Sequence, residues 1–356
     1  MKRPNQNGAV SLISVVIFIT IITIVVIAYL ASSLSQQRTA VNFDMSTRAY
    51  YAAESGIQDV VSTIQAHPDS IPSQTDCKPA IGGDGTGRLG DGVDYGVNYT
   101  CQLVDPTPKE ITGQVIPDQK TAVIRINPAA SPIPNGPYKL VMRWSPKTKP
   151  VEQVLRPSEG NKVLKPKNEW GSVGLNDWYS MLRLNVINHP ANSSFTRSSI
   201  VQRVVFLNPT QTAEPLTVDK SSPLPQTDTI TNASCSASSD SGPEFSCTKT
   251  ITLQNYNLNN DALYVRIGAL YKTTTFSMQL FSGSTQLAFQ NTQVTIDATG
   301  QAKNVYRRVK QAFPLKGYVE DEDKDAALVA GEGICKLFTV TRTASDFASN
   351  CNPLTN

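Results

Sequence analysis

The feature that most constrains this chain is an uncharged, apolar run near its start, AVSLISVVIFITIITIVVIAYLASSL (9–34), with no charge until Arg38. At about 1.5 Å per residue, roughly 20 helical residues cross a bilayer core of about 30 Å, so the run is long enough to span. Its β-branched residues would suit a strand in water. A lone strand in lipid leaves its backbone unpaired, however, so a helix is expected. A short polar leader, residues 1–8, precedes the run and carries Lys2 and Arg3. Basic residues on the short side favour a cytoplasmic N-terminus in a single-pass cytoplasmic-membrane protein, with everything from Gln36 onward outside.

Three readings of this start compete. A secretory signal peptide has an apolar core of about 7–15 residues and a small-x-small cleavage site. Here the run is longer, and the best such site, Ala31 and Ser33 before Leu34, is mediocre. A plain signal anchor is the second reading. The third uses the junction itself: a basic leader, then Gly8, then an uninterrupted helix from Ala9. Cleavage after Gly8 on the cytoplasmic side would leave the whole helix on the mature protein. Beyond the run, residues 35–66 are expected to continue as an amphipathic shaft. Val41, Met45, Ala49, Ala52, Gly56, Val60 and Ile64 recur at steps of three and four and mark one face. Gly56 costs about 1 kcal/mol against Ala there, which suits either a close packing contact or a local loosening. His67-Pro68 ends the helix, because a residue before proline is pushed out of the α region.

The Gly8–Ala9 junction and the helix tail RAYYAAESGIQDVV (48–61) together resemble the class III leader and helix of type IV prepilins and pseudopilins. The tail is similar to the PilX-like and GspK-like minor pilin group. The resemblance covers about residues 1–65 and nothing after them. It implies that a prepilin peptidase cleaves between Gly8 and Ala9, that the new N-terminus is methylated, and that an inner-membrane assembly platform lifts the helix from the lipid bilayer to pack against other pilin subunits. Two departures from the major-pilin pattern qualify this. Ala9 stands where Phe is usual, and Ile13 stands where a Glu is thought to pair with a neighbour's amine. The missing Glu points to a minor or tip subunit of a pilus or type II secretion-like filament, with a role in priming, secretion or cell adhesion.

After the helix the signal changes period. Residues 67–94 read as a connector loop rich in Pro, Gly and Asp, and 95–356 as a β-rich domain. Short β-branched or aromatic segments bounded by turn residues recur at 95–104, 121–127, 138–144, 178–187, 200–207, 245–254, 262–271, 275–281, 292–297, 302–313 and 335–341. The expected fold class is therefore α+β: a long membrane-spanning helix followed by an antiparallel sheet or sandwich outside the membrane. Polar connectors at 128–137, 145–177 and 208–244 suggest an insertion around 105–244 into a smaller pilin-like sheet. The 356 residues allow one large or two ordinary domains, and 40% hydrophobic with 17% charged residues suits a folded chain. Net charge is +3, or +1 without Lys2 and Arg3, so nothing marks a nucleic-acid site.

Few residues carry chemistry. The two histidines, His67 and His189, lack partners at zinc-ligand spacing. Gly85, Gly87 and Gly90 mimic a dinucleotide fingerprint without the strand and helix it needs. No Gly-x-Ser-x-Gly elbow occurs, and Trp144, Trp170 and Trp178 read as core or loop rather than a sugar platform. The sequons at Asn98, Asn192 and Asn232 are short enough to arise by chance. One acidic run does stand out. Asp321, Asp323, Asp325 and Glu332 have the spacing of a calcium-binding EF-hand loop, with Ala326 where that loop wants Gly. Calcium is the one cofactor the sequence suggests, against the alternative of a solvated acidic loop. The six cysteines follow the apolar run, allow 15 connectivities, and are free to pair outside the cytoplasm. Local pairs, Cys77–Cys101, Cys235–Cys247 and Cys335–Cys351, each bracket one segment and are expected, with crossed pairs left open. The last resembles the disulfide-closed loop of many pilins. The whole reads as a structural, non-enzymatic filament subunit. The competing class is a membrane-anchored binding or enzymatic ectodomain that never assembles.

Overall fold

The structure, a computed structural model, describes residues 7–68, 70–78, 96–146, 170, 179–190, 200–210, 212–221, 229–236 and 245–321. It opens with one helix, α1 (Asn7–Ala66). Strands follow in the order β1 (Gln74–Lys78), β2 (Val97–Asp105), β3 (Glu110–Val115), β4 (Thr121–Ile126), β5 (Tyr138–Pro146), β6 (Met181–Pro190), β7 (Val201–Thr210) and β8 (Thr217–Asp219). The remainder are β9 (Thr229–Cys235), β10 (Cys247–Gln254), β11 (Asp261–Leu270), β12 (Thr274–Ser282), β13 (Thr285–Leu287), β14 (Gln293–Ala302), β15 (Val305–Pro314) and β16 (Tyr318–Asp321). The chain is thus one long apolar N-terminal helix followed by β structure, and it clusters into two compact units.

The first unit comprises the chain through Pro106 together with Val294–Phe313. Its α1 is unbroken over 60 residues, about 90 Å at the helical rise. Apolar span and amphipathic shaft are therefore one element. It stops at His67, whose N–H donates to Thr63 O at 3.0 Å before Pro68. The shaft packs on a four-stranded sheet ordered β1-β2-β14-β15. Ala49, Ala52, Ala53, Ile57, Val60 and Ile64 are buried, so the apolar stripe is used from Ala49 onward. Val41, placed on that stripe by its spacing, is 55% exposed, because the sheet reaches only as far down the helix as Ser46. Gln74–Lys78 also departs from the sequence reading. Its composition reads as loop, yet it pairs antiparallel with β2 and is tied to it by the Cys77–Cys101 disulfide.

The second unit runs from Thr107 to Gln293 and resumes at Pro314. It enters the chain between β2 and β14 of the small sheet, a longer excursion than the 105–244 suggested by composition. Its twelve strands form one sheet with the path β13-β12-β5-β10-β9-β7-β6-β11-β4-β16, with β3 beside β12 and β8 beside β10. Strands from both ends of that path supply a single core, among them Met278, Trp144, Leu253, Leu184, Val265 and Ile124. The sheet therefore curls so that one face closes on itself. Strict alternation drives this: in β10, Cys247, Lys249, Ile251 and Leu253 point inward while the threonines between them face out.

The purely antiparallel expectation is corrected, because β7–β9 and β8–β10 pair in parallel. Both parallel partners, β8 and β9, lie inside the stretch 208–244 that reads as connector. Their composition, TVD and TITNASC, is short and polar, and only pairing with buried neighbours makes them strands. Strand β3 was likewise missed, since Gly113 interrupts its pattern. Phe276 and Tyr318 lie so close to Gly113 that a Cβ would collide with both.

Candidate functional site

The residues with the least to do inside the chain are those of the first half of α1. Val15 through Leu34 form a column of exposed apolar side chains about 30 Å tall, with Phe18 at 67% and Tyr29 at 74% exposure. The helix is long and apolar enough to cross a membrane, with a window of mean hydropathy 2.8, none of it buried against the rest of the chain. The column's two threonines are satisfied internally. Thr20 Oγ1 donates to Val16 O at 3.0 Å and Ile17 O at 2.8 Å, and Thr23 Oγ1 donates to Ile19 O at 2.7 Å. In an apolar medium that bonding removes the cost of an unpaired donor. The helix begins at Asn7, so the backbone of Gly8, Ala9 and Ile13 is helical too.

The second half of α1 is clasped by the sheet at two glycines. A Cβ on Gly56 would lie 3.0 Å from Tyr99 Cγ, and a Cβ on Gly300 would collide with the backbone at Ala49 and Ala53. Around this close approach, Gln102 Nε2 donates to Gly56 O at 2.7 Å, Tyr99 Oη donates to Asp59 Oδ2 at 2.6 Å, and Arg307 Nε donates to Ser46 Oγ at 2.7 Å. Of the two alternatives for Gly56, packing is the one realised. Gly300 and buried Gln102 were not singled out by sequence, since their partners lie far away along the chain.

The other expected sites fare differently. Cys77–Cys101 and Cys235–Cys247 are disulfides, the second joining directly opposed residues of β9 and β10. Cys335 and Cys351 lie outside the described residues. Asp321 ends strand β16, paired with β4, rather than following the incoming helix of an EF-hand. Asp323, Asp325 and Glu332 lie outside the described residues, and among the described ones no cluster of three metal-ligating side chains occurs. His67 is exposed at the end of α1, whereas His189 is buried in β6 of the second unit. Trp144 and Trp170 are buried, each donating its indole N–H to a backbone carbonyl, Ser180 O and Tyr179 O respectively. Asn232 is buried and bonded to Asn208 and Glu214, so that sequon is closed to modification in the folded chain.

Two polar features of the second unit escaped the sequence reading. Lys249 is 1% exposed, and its ammonium donates to Glu214 O, Thr231 Oγ1 and Asn232 O. All three N–H groups are used, so the cation pins the β8–β9 stretch to β10 and is not free to react. A cavity of about 500 Å³ lies between Gly136–Pro137 and Thr252–Tyr256. Beside it, the Asp219 carboxylate accepts from Asn255 Nδ2, Ser221 N and Ser221 Oγ, each at 2.8 Å, and these bonds hold it below the usual carboxylate range, the Asn255 bond most. Burial pushes the Tyr256 phenol up to about 12, and its hydroxyl has no partner among the described residues. No family model matches the chain, and no curated protein or solved structure matches it either.

Proposed function

We propose that this chain is a minor type IV pilin or pseudopilin, a structural subunit stored in the cytoplasmic membrane and assembled into a filament, near its tip or as its primer. The observation that carries this reading is the division of labour within one unbroken helix. Its first half is an apolar column with nothing among the described residues packed on it, and its second half is anchored to a small sheet through Gly56 and Gly300. Such a column needs an apolar environment, either lipid or the helices of neighbouring subunits, and a rigid shaft lets one replace the other without refolding. The leader with Lys2, Arg3 and Gly8 supplies the processing step, and the outward β-rich units would offer contacts to surfaces or partners.

The missing Glu at Ile13 sets the stoichiometry. An amine buried in an apolar filament core with no carboxylate beside it costs several kcal/mol, and a subunit with nothing above it does not impose that cost on a neighbour. Quantitative mass spectrometry of sheared filaments is therefore expected to find this chain far below the major subunit. Its complete absence from filaments would favour the non-assembling ectodomain, and near-equal abundance would refute a tip role.

A further inference from the structure

Contacts between α1 and its sheet fix the order in which the strands stack along the helix. Tyr99 and Gln102 of β2 meet Gly56 and Asp59, Gly300 of β14 meets Ala49–Ala53, and Arg307 of β15 reaches Ser46. Strand β15 is thus the one nearest the apolar column, and it ends the sheet, with one edge unpaired among the described residues. That edge is long, and no described strand covers it. Tyr306 is 58% exposed, and Arg307, Arg308, Lys310 and Gln311 are exposed as well, with Lys303 in the turn before them. Among the described residues Arg308 alone of these charges is neutralised, by a two-pronged bond to Asp297 at 2.7 and 2.6 Å.

The distances suit a membrane surface. If the hydrocarbon boundary lies at Leu34, Ser46 stands about 18 Å further along the helix. The headgroup layer occupies roughly 5–7 Å of that, since a bilayer of about 40–45 Å has a core of about 30 Å. The remaining gap of roughly 11–13 Å is a little more than the screening length of about 8–10 Å at moderate salt, before the long side chains of β15 are counted. Val41 and Phe43, exposed and apolar on the intervening helix, would draw it closer still. On that helix Arg38 adds a further charge, while Arg48 and Asp44 cancel at 3.0 Å.

We infer that the free edge of β15, through Lys303, Tyr306, Arg307 and Lys310, rests on anionic phospholipid headgroups while the subunit is held in the bilayer. This rests on the membrane-anchored reading of α1. Such a surface would hold the small sheet at a set height and orientation before extraction, and would be released as the helix is lifted. The test uses the full chain in lipid nanodiscs of phosphatidylcholine alone, or of phosphatidylcholine with phosphatidylglycerol. Mass spectrometry would follow the rates at which an amine reagent modifies Lys303 and Lys310. Each basic residue near an anionic surface is worth about a fivefold gain in partitioning, so the rates are expected to fall about fivefold in the anionic discs. High salt, or the variant Arg307→Glu, is expected to restore them. Equal rates in both discs would overturn the inference while leaving the anchored helix intact. A chain that fails to co-elute with either disc would overturn the anchoring itself, and this inference with it.

Discussion

Single atoms decide two of the positions where helix and sheet approach most closely, Gly56 and Gly300. At Gly300 the space a methyl would need is held by main-chain atoms of α1, which cannot rotate away. Gly300→Ala is expected to destabilise the first unit by about 1–3 kcal/mol in chemical denaturation, as over-packing does. Gly56 differs, because its nearest contact, Tyr99 Cγ at 3.0 Å, is relieved by a shift of a few tenths of an ångström, and Ala would gain about 1 kcal/mol of helix propensity. Gly56→Ala should therefore be near neutral and Gly56→Val clearly destabilising. Equal losses for Gly56→Ala and Gly300→Ala would contradict this distinction. In the second unit, Tyr256 carries a buried hydroxyl without a partner among the described residues. Tyr256→Phe removes that desolvation cost, so a gain of about 1 kcal/mol is expected. The pH dependence follows from the same burial. A phenol whose folded pKa is raised to about 12 adds stability that is full below its ordinary value and is lost as pH rises through about 12. Tyr138, raised in the same direction by burial, adds to that alkaline loss, so Tyr256→Phe should shrink it without abolishing it.

Among the elements, α1 was readable almost in full, because hydropathy reports the exposed column and three-four spacing reports the shaft. What spacing could not report was where the shaft begins to be used: Val41 fits the stripe as well as Ala49, and only the reach of the sheet separates them. Long apolar strands such as β6, β11 and β12 were likewise readable from alternation. Strands β1, β8 and β9 were not, since QTDCK, TVD and TITNASC look like loop until a neighbour pairs with them. Lys249 shows the limit most sharply. Its position in β10 is inward by parity, yet a lysine flanked by threonines reads as surface, and the three oxygens that receive it come from residues 214–232. The disulfides were accessible because each closes a short stretch, with separations of 24 and 12 residues. In the chain-entropy picture such loops are worth roughly 3 kcal/mol each, so replacing Cys235 and Cys247 by Ser should lower unfolding free energy by about that amount. A change below about 1 kcal/mol would mean that the β9–β10 pairing needs no covalent tie.

Taken as a whole, the molecule joins a helix that must be hidden from water to a β-rich remainder that buries its own core. The second unit enters between two strands of the first, so each has its own hydrogen-bonded sheet and its own interior. A long apolar column on a helix whose other half is packed on its own sheet is what the proposed storage in lipid followed by assembly requires. A secreted ectodomain would discard the column, and a plain anchor would keep the leader. The N-terminus of the protein in its native membrane separates these directly. Sequencing of the membrane fraction is predicted to give a mature chain beginning at Ala9, and Gly8→Val is predicted to leave the leader in place. A mature chain that still begins at Met1, or one that begins near Leu34, would contradict the account.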